Sequence, residues 1–264
     1  MHDRDRHVPR KRFGQHFLHD QGILARIVAA IAPKPEDRVV EIGPGEGALT
    51  LPLLRAAGKL TAIELDRDLI EPLRTKAQNI GDLTIISADA LTVDFSALAH
   101  GKPIRLVGNL PYNISTPILF HCLEHAAAIA DMHFMLQKEV VDRMAAAPGS
   151  KTYGRLSVML QLRCTVEPLL KVPPGAFRPP PKVDSAVVRL APLPATQLPD
   201  TDFALIEKLV RTAFGQRRKT LSNALRDLAS SAQIEAAGID PRARAEQLAP
   251  SAYVALAQFL ARQP

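Results

Sequence analysis

The sequence predicts an α/β protein in which a doubly wound parallel sheet precedes a smaller all-helical domain. Short apolar runs alternate with segments of helical periodicity over residues 39–190, a pattern typical of strands joined by crossover helices. From residue 201 onward only helical patterns occur. The chain has 264 residues, of which 47% are hydrophobic. This is enough for one large domain and one small one.

Taken in order, the chain begins with a basic segment at 1–12, which we predict to be a disordered arm. An α/β domain at 13–195 and a helical domain at 200–264 follow. Strands are predicted at 39–42, 59–64, 83–87, 104–108, 132–137 and 183–190. Helices are predicted at 23–31, 48–54, 67–78, 117–129, 138–146, 203–214, 219–230, 234–237 and 250–261. Proline-rich segments at 173–182 and 192–199 indicate a stiff connector and the domain boundary.

A glycine-rich turn follows the first strand, in the stretch Val39–Gly47. Glycines such as Gly43 and Gly45 permit positive φ angles and let a ligand approach the backbone. The dinucleotide pattern G-x-G-x-x-G is not met because Ala48 follows the third glycine, which falls one residue early. Glu64, at the end of the second strand, can accept hydrogen bonds from ribose hydroxyls. This combination is the arrangement of S-adenosylmethionine-dependent methyltransferases, and the alternative is an ordinary strand-to-helix turn.

Asp89 follows the third strand of the predicted sheet. Because ligands bind at the carboxyl ends of parallel strands, we expect Asp89, Glu64 and the glycine turn to meet in one crevice. A carboxylate beyond the ribose site can accept a hydrogen bond from the adenine amino group. A helix cap is the ordinary alternative for an Asp in this position.

The tetrapeptide Asn109-Leu110-Pro111-Tyr112 ends the fourth strand. An exocyclic adenine amine is a poor nucleophile because its lone pair is delocalised into the ring. Two acceptors on its N–H groups, the Asn109 side-chain oxygen and the Leu110 carbonyl, would free that lone pair for attack on a sulfonium methyl. Tyr112 offers a flat face for the base, and Phe177 is predicted to close the other face. No strong base is needed if the site aligns and desolvates the reactants.

Basic residues cluster near both ends of a chain whose formal net charge is +6. An adenosine inside a helix cannot be approached in this way, so the target base must be flipped or unpaired. Flanking phosphates then need cations. We predict RNA contacts for Arg10, Lys11, Arg12, Arg217, Arg218 and Lys219. Solvated surface faces are the alternative for either cluster taken alone.

Several protein classes are not expected from this sequence. No apolar run approaches the ~18 residues of a membrane span, and no secretory signal is recognised, so we expect a cytoplasmic protein without membrane partners. Cys122 and Cys164 lie far apart and lack C-x-x-C spacing, which argues against a disulfide framework or a zinc site. No histidine has metal-ligand spacing, so no metal is expected. A monomer is the default.

Six motifs together resemble one family, the ribosomal RNA adenine N6,N6-dimethyltransferases, and within it the bacterial small-subunit branch. They are Phe-Gly-Gln-His-Phe-Leu at 13–18, Glu-Ile-Gly-Pro-Gly-Glu-Gly at 41–47, Ala-Ile-Glu-Leu-Asp at 62–66, Asn-Leu-Pro-Tyr at 109–112, Phe177 with Pro179, Pro181, Lys182 and Val183, and Phe-Gly-Gln-Arg-Arg-Lys-Thr-Leu at 214–221. The resemblance runs from Arg12 to about Leu225. It implies a Rossmann-like S-adenosylmethionine-dependent methyltransferase sheet with a small C-terminal helical domain.

The resemblance also implies an activity and a set of cofactor contacts. The activity is transfer of two methyls from S-adenosyl-L-methionine to N6 of each of two adjacent adenosines, in a hairpin loop near the 3′ end of small-subunit ribosomal RNA. The substrate would be the immature 30S subunit. Cofactor contacts fall on His16, Leu18, Gly43, Gly45, Glu64, Asp89 and Asn109. Residue 16 is usually Asn in the family and is His here.

Two other functions remain open at this point. A resistance-type dimethylase of large-subunit RNA shares much of the pattern, although the segment at 214–219 and the connector at 173–182 favour the small-subunit enzyme. A non-catalytic ribosome-assembly or RNA-binding factor is the second alternative. Retention of Glu64, Asn109 and Tyr112 argues against lost catalysis.

Overall fold

The computed structural model describes residues 16–263, and the predicted basic arm at 1–12 lies outside this range. The described chain forms two compact units. The first unit runs to Val141 and includes Glu167–Pro192, and the second contains Asp142–Val166 and the residues from Leu193 onward. Residues 142–166, which we had placed in the α/β domain, therefore belong to the second unit.

Nine strands are described. They are β1 (Phe17–Leu18), β2 (Arg38–Ile42), β3 (Lys59–Glu64), β4 (Asp82–Ser87), β5 (Ile104–Asn109), β6 (Ile129–Gln137), β7 (Cys164–Val172), β8 (Phe177–Arg178) and β9 (Ser185–Pro192). Seven of them form one sheet in the order β4-β3-β2-β5-β6-β9-β7. Strands β2 to β6 are parallel to their neighbours, whereas β9 runs antiparallel to β6. This mostly parallel sheet confirms the predicted fold class.

The strands alternate with helices. These are α1 (Gln21–Ile31), α2 (Thr50–Ala57), α3 (Arg67–Ala77), α4 (Phe95–Ala99), α5 (Ser115–Glu124), α6 (Lys138–Met144), α7 (Arg155–Gln161), α8 (Phe203–Gly215), α9 (Leu221–Ala224), α10 (Ser231–Ala236) and α11 (Pro250–Ala261). Across residues 16–263, no helix has the length and apolarity needed to cross a bilayer.

Helix α1 shows how local sequence sets the elements of the first unit. The Asp20 carboxylate accepts a hydrogen bond from the Ile23 N–H at 2.9 Å and so caps the first turn. Leu24, Ile27 and Ile31, spaced three and four residues apart, are buried. The helix ends at Ala32, whose φ of 46° is left-handed. The apolar stripe thus packs into the core that also holds the strands.

Two predicted helices are shorter in the structure. The helix expected at 117–129 ends at Glu124, because His125 leaves the helical region with φ −104° and ψ 20°, and Ile129 already begins β6. The helix expected at 219–230 is reduced to α9. There the N–H groups of Leu228 and Ala229 both bond to the Leu225 carbonyl, which closes a tight turn instead of another helical turn.

Aromatic residues form the centre of the second unit. Tyr153 and Tyr253 are fully buried, and the Phe214 ring lies 6.0 Å and 6.2 Å from their ring centroids. The Tyr153 hydroxyl donates to the Leu248 carbonyl at 2.8 Å. The Tyr253 hydroxyl donates to the Ala245 carbonyl at 2.9 Å. Both polar ends are therefore satisfied, and Tyr153 explains why the segment 142–166 joins this unit.

Candidate active site

A cavity of about 310 Å³ lies at the carboxyl edge of the parallel strands. Its wall contains all the cofactor-binding residues predicted from the sequence, namely His16, Leu18, Gly43, Gly45, Glu64, Asp89 and Asn109. Leu110 and Tyr112, predicted to act on the substrate, also line it. Because parallel strands end at a common edge, residues distant in sequence meet here.

The glycine turn after β2 forms one wall of the cavity. Gly43, Gly45 and Gly47 have φ angles of 69°, 57° and 88°, a region that residues with a side chain rarely adopt. A Cβ atom at Gly45 would also lie 2.9 Å from a ring carbon of Phe17. The Gly45 N–H donates to Glu64 Oε2 at 3.1 Å. Glycine is thus required both by conformation and by the close approach of β1.

Glu64 closes β3 and lies against the turn. It is 6% exposed, and its Oε1 accepts the Asp66 N–H at 2.7 Å. Burial raises the pKa of Glu64, and the backbone hydrogen bonds from Asp66 and Gly45 oppose that shift. Each carboxylate oxygen has two lone pairs, so one bond to the backbone leaves capacity for a ligand hydroxyl.

Asp89 caps a short helix and also lines the cavity. Its Oδ1 accepts the Leu91 N–H at 3.0 Å and caps the short 3₁₀ helix Ala90–Thr92. It also lines the cavity. The cap fixes the carboxylate against its own backbone and holds it at the cavity wall.

Asn109 is the last residue of β5, and its side chain is held from one side. Asn109 Nδ2 donates to the His16 carbonyl at 2.9 Å. Since a carbonyl oxygen can only accept, the amide must turn its NH₂ group to His16, and its Oδ1 is left for another donor. The next residue, Leu110, is 1% exposed and its N–H bonds to the Met135 carbonyl at 3.1 Å.

Tyr112 is half-buried at the same end of the sheet. Its hydroxyl and the Ser185 hydroxyl are 2.6 Å apart. Burial raises the pKa of Tyr112, with the Ser185 hydrogen bond opposing. The ring of His16 lies alongside at a centroid distance of 5.9 Å and an interplanar angle of 26°. The phenol is therefore a neutral, oriented aromatic surface.

Phe177, which we predicted to close the second face of the base, is not brought to the cavity. It is 2% exposed and packs in the apolar core with Leu18, Met135 and Val172. It pairs with Leu18 in the two-stranded β1–β8 ladder. In this arrangement the ring packs in the core with Leu18 of β1, and no face is open to a base.

Phe17 and Glu41 are among the residues of the cavity wall that the sequence did not single out. Glu41 is 1% exposed, and its Oε2 lacks a hydrogen-bond partner among the described residues. Burial raises the pKa of Glu41 to about 8, although the Thr50 hydroxyl opposes the shift. The sequence signal that could have identified Glu41 is its position as an acidic residue between the apolar residues Val40 and Ile42.

The basic residues predicted to contact RNA differ in their surroundings. Arg10, Lys11 and Arg12 lie outside the described residues. Arg217 donates to the Tyr153 carbonyl at 3.0 Å and pairs with Glu246 at 3.2 Å, so it also holds the second unit together. Arg218 and Lys219 are exposed and border a shallow groove formed by residues 214–219.

Over residues 16–263, no three potential ligand side chains come together as a metal site. Cys122 and Cys164 are buried free thiols. Burial raises the pKa of each thiol to about 12. Neither is poised as a nucleophile.

Comparison with known proteins identifies the family. The ribosomal RNA adenine dimethylase family profile matches residues 6–262. The ribosomal RNA small subunit methyltransferase A of Xanthomonas campestris pv. campestris (strain B100) is 63% identical over 248 residues, which cover 94% of this chain and 95% of the relative. The protein of the same name from Xanthomonas axonopodis pv. citri (strain 306) is 64% identical over 249 residues, with the same coverage.

Solved structures agree in fold. A dimethyladenosine transferase from Plasmodium falciparum superposes with a TM-score of 0.78 at 29% identity, covering 91% of this chain and 96% of that one. The 23S rRNA methyltransferase ErmE superposes with a TM-score of 0.73 at 29% identity, covering 93% and 100%. The chain belongs to the ribosomal RNA adenine dimethylase family.

Proposed function

We propose that this protein transfers methyl groups from S-adenosyl-L-methionine to N6 of two adjacent adenosines in the 3′-terminal hairpin loop of small-subunit ribosomal RNA. The observation that carries the proposal is the Asn109 amide, oriented beside the glycine turn in one cavity. The small-subunit relative, at 63% identity, is much more similar than the 23S enzyme, at 29%. That difference favours the small subunit as substrate.

The character of the cavity wall supports this cofactor. Among the described residues that line it, none is Lys or Arg, whereas five are acidic, namely Glu41, Glu46, Glu64, Asp66 and Asp89. A dinucleotide would bring a negatively charged pyrophosphate, which these carboxylates would repel. S-adenosylmethionine has a ribose, an amine and a sulfonium cation but no phosphate, so the acidic wall fits it. We assign the ribose to Glu64 and the adenine amino group to Asp89.

When bound, the cofactor supplies an electrophilic methyl group. The protein's part is to prepare the amine that attacks it. Asn109 Oδ1 and the Leu110 carbonyl accept the two N–H groups of the target adenine, which localises the nitrogen lone pair. Tyr112 stacks on the base and keeps water from it. As the N–CH₃ bond forms, the electron pair of the S–CH₃ bond would stay on sulfur. The extra proton on N6 would pass along one of these hydrogen bonds to solvent water, so neither acceptor has to act as a strong base.

RNA binding is assigned to the helical unit and to the basic arm. Arg218 and Lys219 are exposed beside a groove and suit phosphate contacts. We assign the protein to the cytoplasm as a monomer that acts on immature 30S subunits, since these hold the substrate RNA before its final packing.

The decisive experiment is methyl transfer from labelled S-adenosylmethionine to small and large ribosomal subunits from cells that lack this protein. We expect N6,N6-dimethyladenosine only in small-subunit RNA, mapped by mass spectrometry. Label in the large subunit would assign the activity to that RNA instead. Binding without label in either subunit would indicate the non-catalytic factor.

The catalytic assignment is tested separately with Asn109→Ala. We expect a loss of at least about a thousandfold in rate, because the amine loses an acceptor made only in the reacting geometry. Affinities for cofactor and RNA should change little. Full activity would contradict the mechanism and leave the substrate assignment intact.

The phosphate contacts are tested by salt dependence. The double change Arg218→Gln with Lys219→Gln should reduce the slope of log K against log salt by about two. The double change Arg226→Gln with Arg242→Gln is the control, since those side chains are 78% and 89% exposed in the same unit. Equal flattening in both variants would argue against a specific phosphate grip.

A further inference from the structure

His16 contacts Asn109 and Tyr112, two of the three residues of the Asn-Leu-Pro-Tyr turn that we assign to the substrate. Its backbone carbonyl accepts the Asn109 amide at 2.9 Å. Its ring lies against the ring of Tyr112, with centroids 5.9 Å apart. These are two different parts of one residue, so the position of His16 as a whole is linked to both side chains.

A short antiparallel ladder determines where His16 lies. Phe17 pairs with Arg178 and Leu18 pairs with Phe177. The Leu18–Phe177 pair is followed by a bond from the His19 N–H to the Ala176 carbonyl at 2.9 Å. The ladder therefore fixes the backbone of residues 17–19, and His16 is the residue immediately before its first pair.

The side chain of His16 continues this ladder by one step. His16 Nδ1 lies 2.7 Å from the Pro179 carbonyl, and because a carbonyl only accepts, Nδ1 carries the hydrogen. The side chain thus ties residue 16 to the opposite strand segment. Its backbone carbonyl is then free of the ladder and points to Asn109.

Tyr112 is held at its other end as well. Its hydroxyl is 2.6 Å from Ser185 Oγ, and Ser185, in β9, is 1% exposed. The hydroxyl contact fixes one end of the ring, and the His16 ring limits rotation of the flat part. Of the hydrogen bonds and ring contacts described for the Tyr112 side chain in residues 16–263, the Ser185 bond alone would be left without His16.

We propose that His16 is a positioning residue for methyl transfer, which holds Asn109 Oδ1 towards the substrate amine and keeps the Tyr112 ring in its stacking orientation. The inference rests on the proposed roles of Asn109 and Tyr112. It assigns to the imidazole a task that differs from a direct side-chain contact with the cofactor.

The test measures single-turnover methyl transfer at saturating RNA and cofactor, together with the Kd of S-adenosylmethionine by calorimetry. We expect His16→Ala to lower the rate about tenfold or more while the Kd changes less than threefold. His16→Asn should recover part of the rate, because its Nδ2–H replaces the imidazole Nδ1–H as donor to Pro179, whereas it has no ring to pack beside Tyr112. His16→Phe should be slow, since it fills a similar volume without that donor.

His19→Ala is the matched control, because His19 is an exposed histidine of the same segment whose described contacts are made by its backbone. It should keep the wild-type rate. A His16→Ala rate within twofold of wild type, or a loss that excess cofactor reverses, would overturn the inference. If Asn109→Ala is inactive and His16→Ala is normal, only this inference fails. If Asn109→Ala is active, the assigned role of Asn109 fails first.

Discussion

Acidic residues at the amino edge and at the carboxyl edge of the same sheet differ in whether a cation pairs with them. At the amino edge, Arg105 bonds to Asp131 through Nε at 2.9 Å and Nη2 at 3.0 Å. Its Nη1 lies 2.8 Å from Asp37 Oδ2, and Nη2 donates to the Ile31 carbonyl at the end of α1 at 2.8 Å. Burial alone would raise the pKa of Asp37, but the Arg105 hydrogen bond and the Lys34 N–H hold it below its usual value.

At the carboxyl edge, Glu41 and Glu64 form no ion pair with another residue of the range 16–263. Glu41 and Glu64 line the cavity, and burial raises the pKa of both. Glu64 accepts hydrogen bonds from the Gly45 and Asp66 N–H groups, whereas Glu41 Oε2 has no hydrogen-bond partner among the described residues. The paired acids at the amino edge thus connect strands and helix, whereas the acids without a counter-charge line the cavity to which we assign the cofactor.

The largest expected effect comes from breaking the amino edge. Arg105→Met leaves two carboxylates and a helix end without their shared donor, and should lower the free energy of unfolding by about 3–5 kcal/mol. Urea denaturation measures it. The rate of methyl transfer should stay within twofold where the variant is folded. Arg38→Met, on the same edge but outside this network, is the control, and an equal loss there would show that the network is not special.

At the carboxyl edge the expected effect moves from stability to binding. Glu64→Gln should weaken binding of S-adenosylmethionine by about 10–100-fold, or about 1.4–2.8 kcal/mol, because an amide cannot accept with both atoms. The unfolding free energy without ligand should change by less than about 1 kcal/mol. Calorimetry and urea denaturation measure the two quantities. Glu71→Gln, 74% exposed, should change neither, and unaltered cofactor binding in Glu64→Gln would contradict the assignment.

The buried acid Glu41 gives a smaller effect with a definite sign. Its folded pKa of about 8 is above the usual 4.5, so the folded state keeps a proton that the unfolded chain has lost. The free energy of unfolding should therefore fall as pH rises through this range, by ~1–2 kcal/mol between pH 6.5 and 8. Glu41→Gln should remove that decline relative to wild type. Parallel pH profiles for the two proteins would show that Glu41 titrates normally.

The smallest effect is expected for Asp37, which is partly solvated. Its pKa is held below the usual value, so its contribution is present above pH ~4 and is lost as pH falls through the folded pKa. Asp37→Asn should cost about 1 kcal/mol or less at pH 7 after solvent screening. The difference between variant and wild type should shrink in acid. If the difference in unfolding free energy between Asp37→Asn and wild type is the same at pH 3 and pH 7, the effect does not come from the Asp37 charge.

Much of the carboxyl edge was predictable, because local pattern and topology decide it. Alternating apolar runs gave the parallel sheet, and the glycines and the acids Glu64 and Asp89 then had to meet where its strands end. The pairing of β1 with β8 was not predictable in this way. Phe17 and Arg178 are far apart in the chain, and a two-residue ladder leaves no periodic signal.

The burial of Phe177 and the amino-edge network could not be predicted either, because both depend on contacts between residues far apart in the chain. The proline-rich segment predicts a connector, but it does not show whether the Phe177 ring faces the core or the cavity. Arg105 is an isolated charge in an apolar strand, and only the fold shows that Asp37, Asp131 and the end of α1 surround it. Side-chain partners across the sheet depend on register, which one sequence does not contain.

Asn109 belongs to β5, the fourth of the seven strands and flanked by β2 and β6. The proposed catalytic amide is therefore attached to the part of the unit that opens last, since central strands exchange their amide hydrogens only through global unfolding. Heat should inactivate the enzyme at the temperature at which the sheet melts and not before it. Below that temperature, the position of the Asn109 amide should be kept for as long as the sheet remains folded.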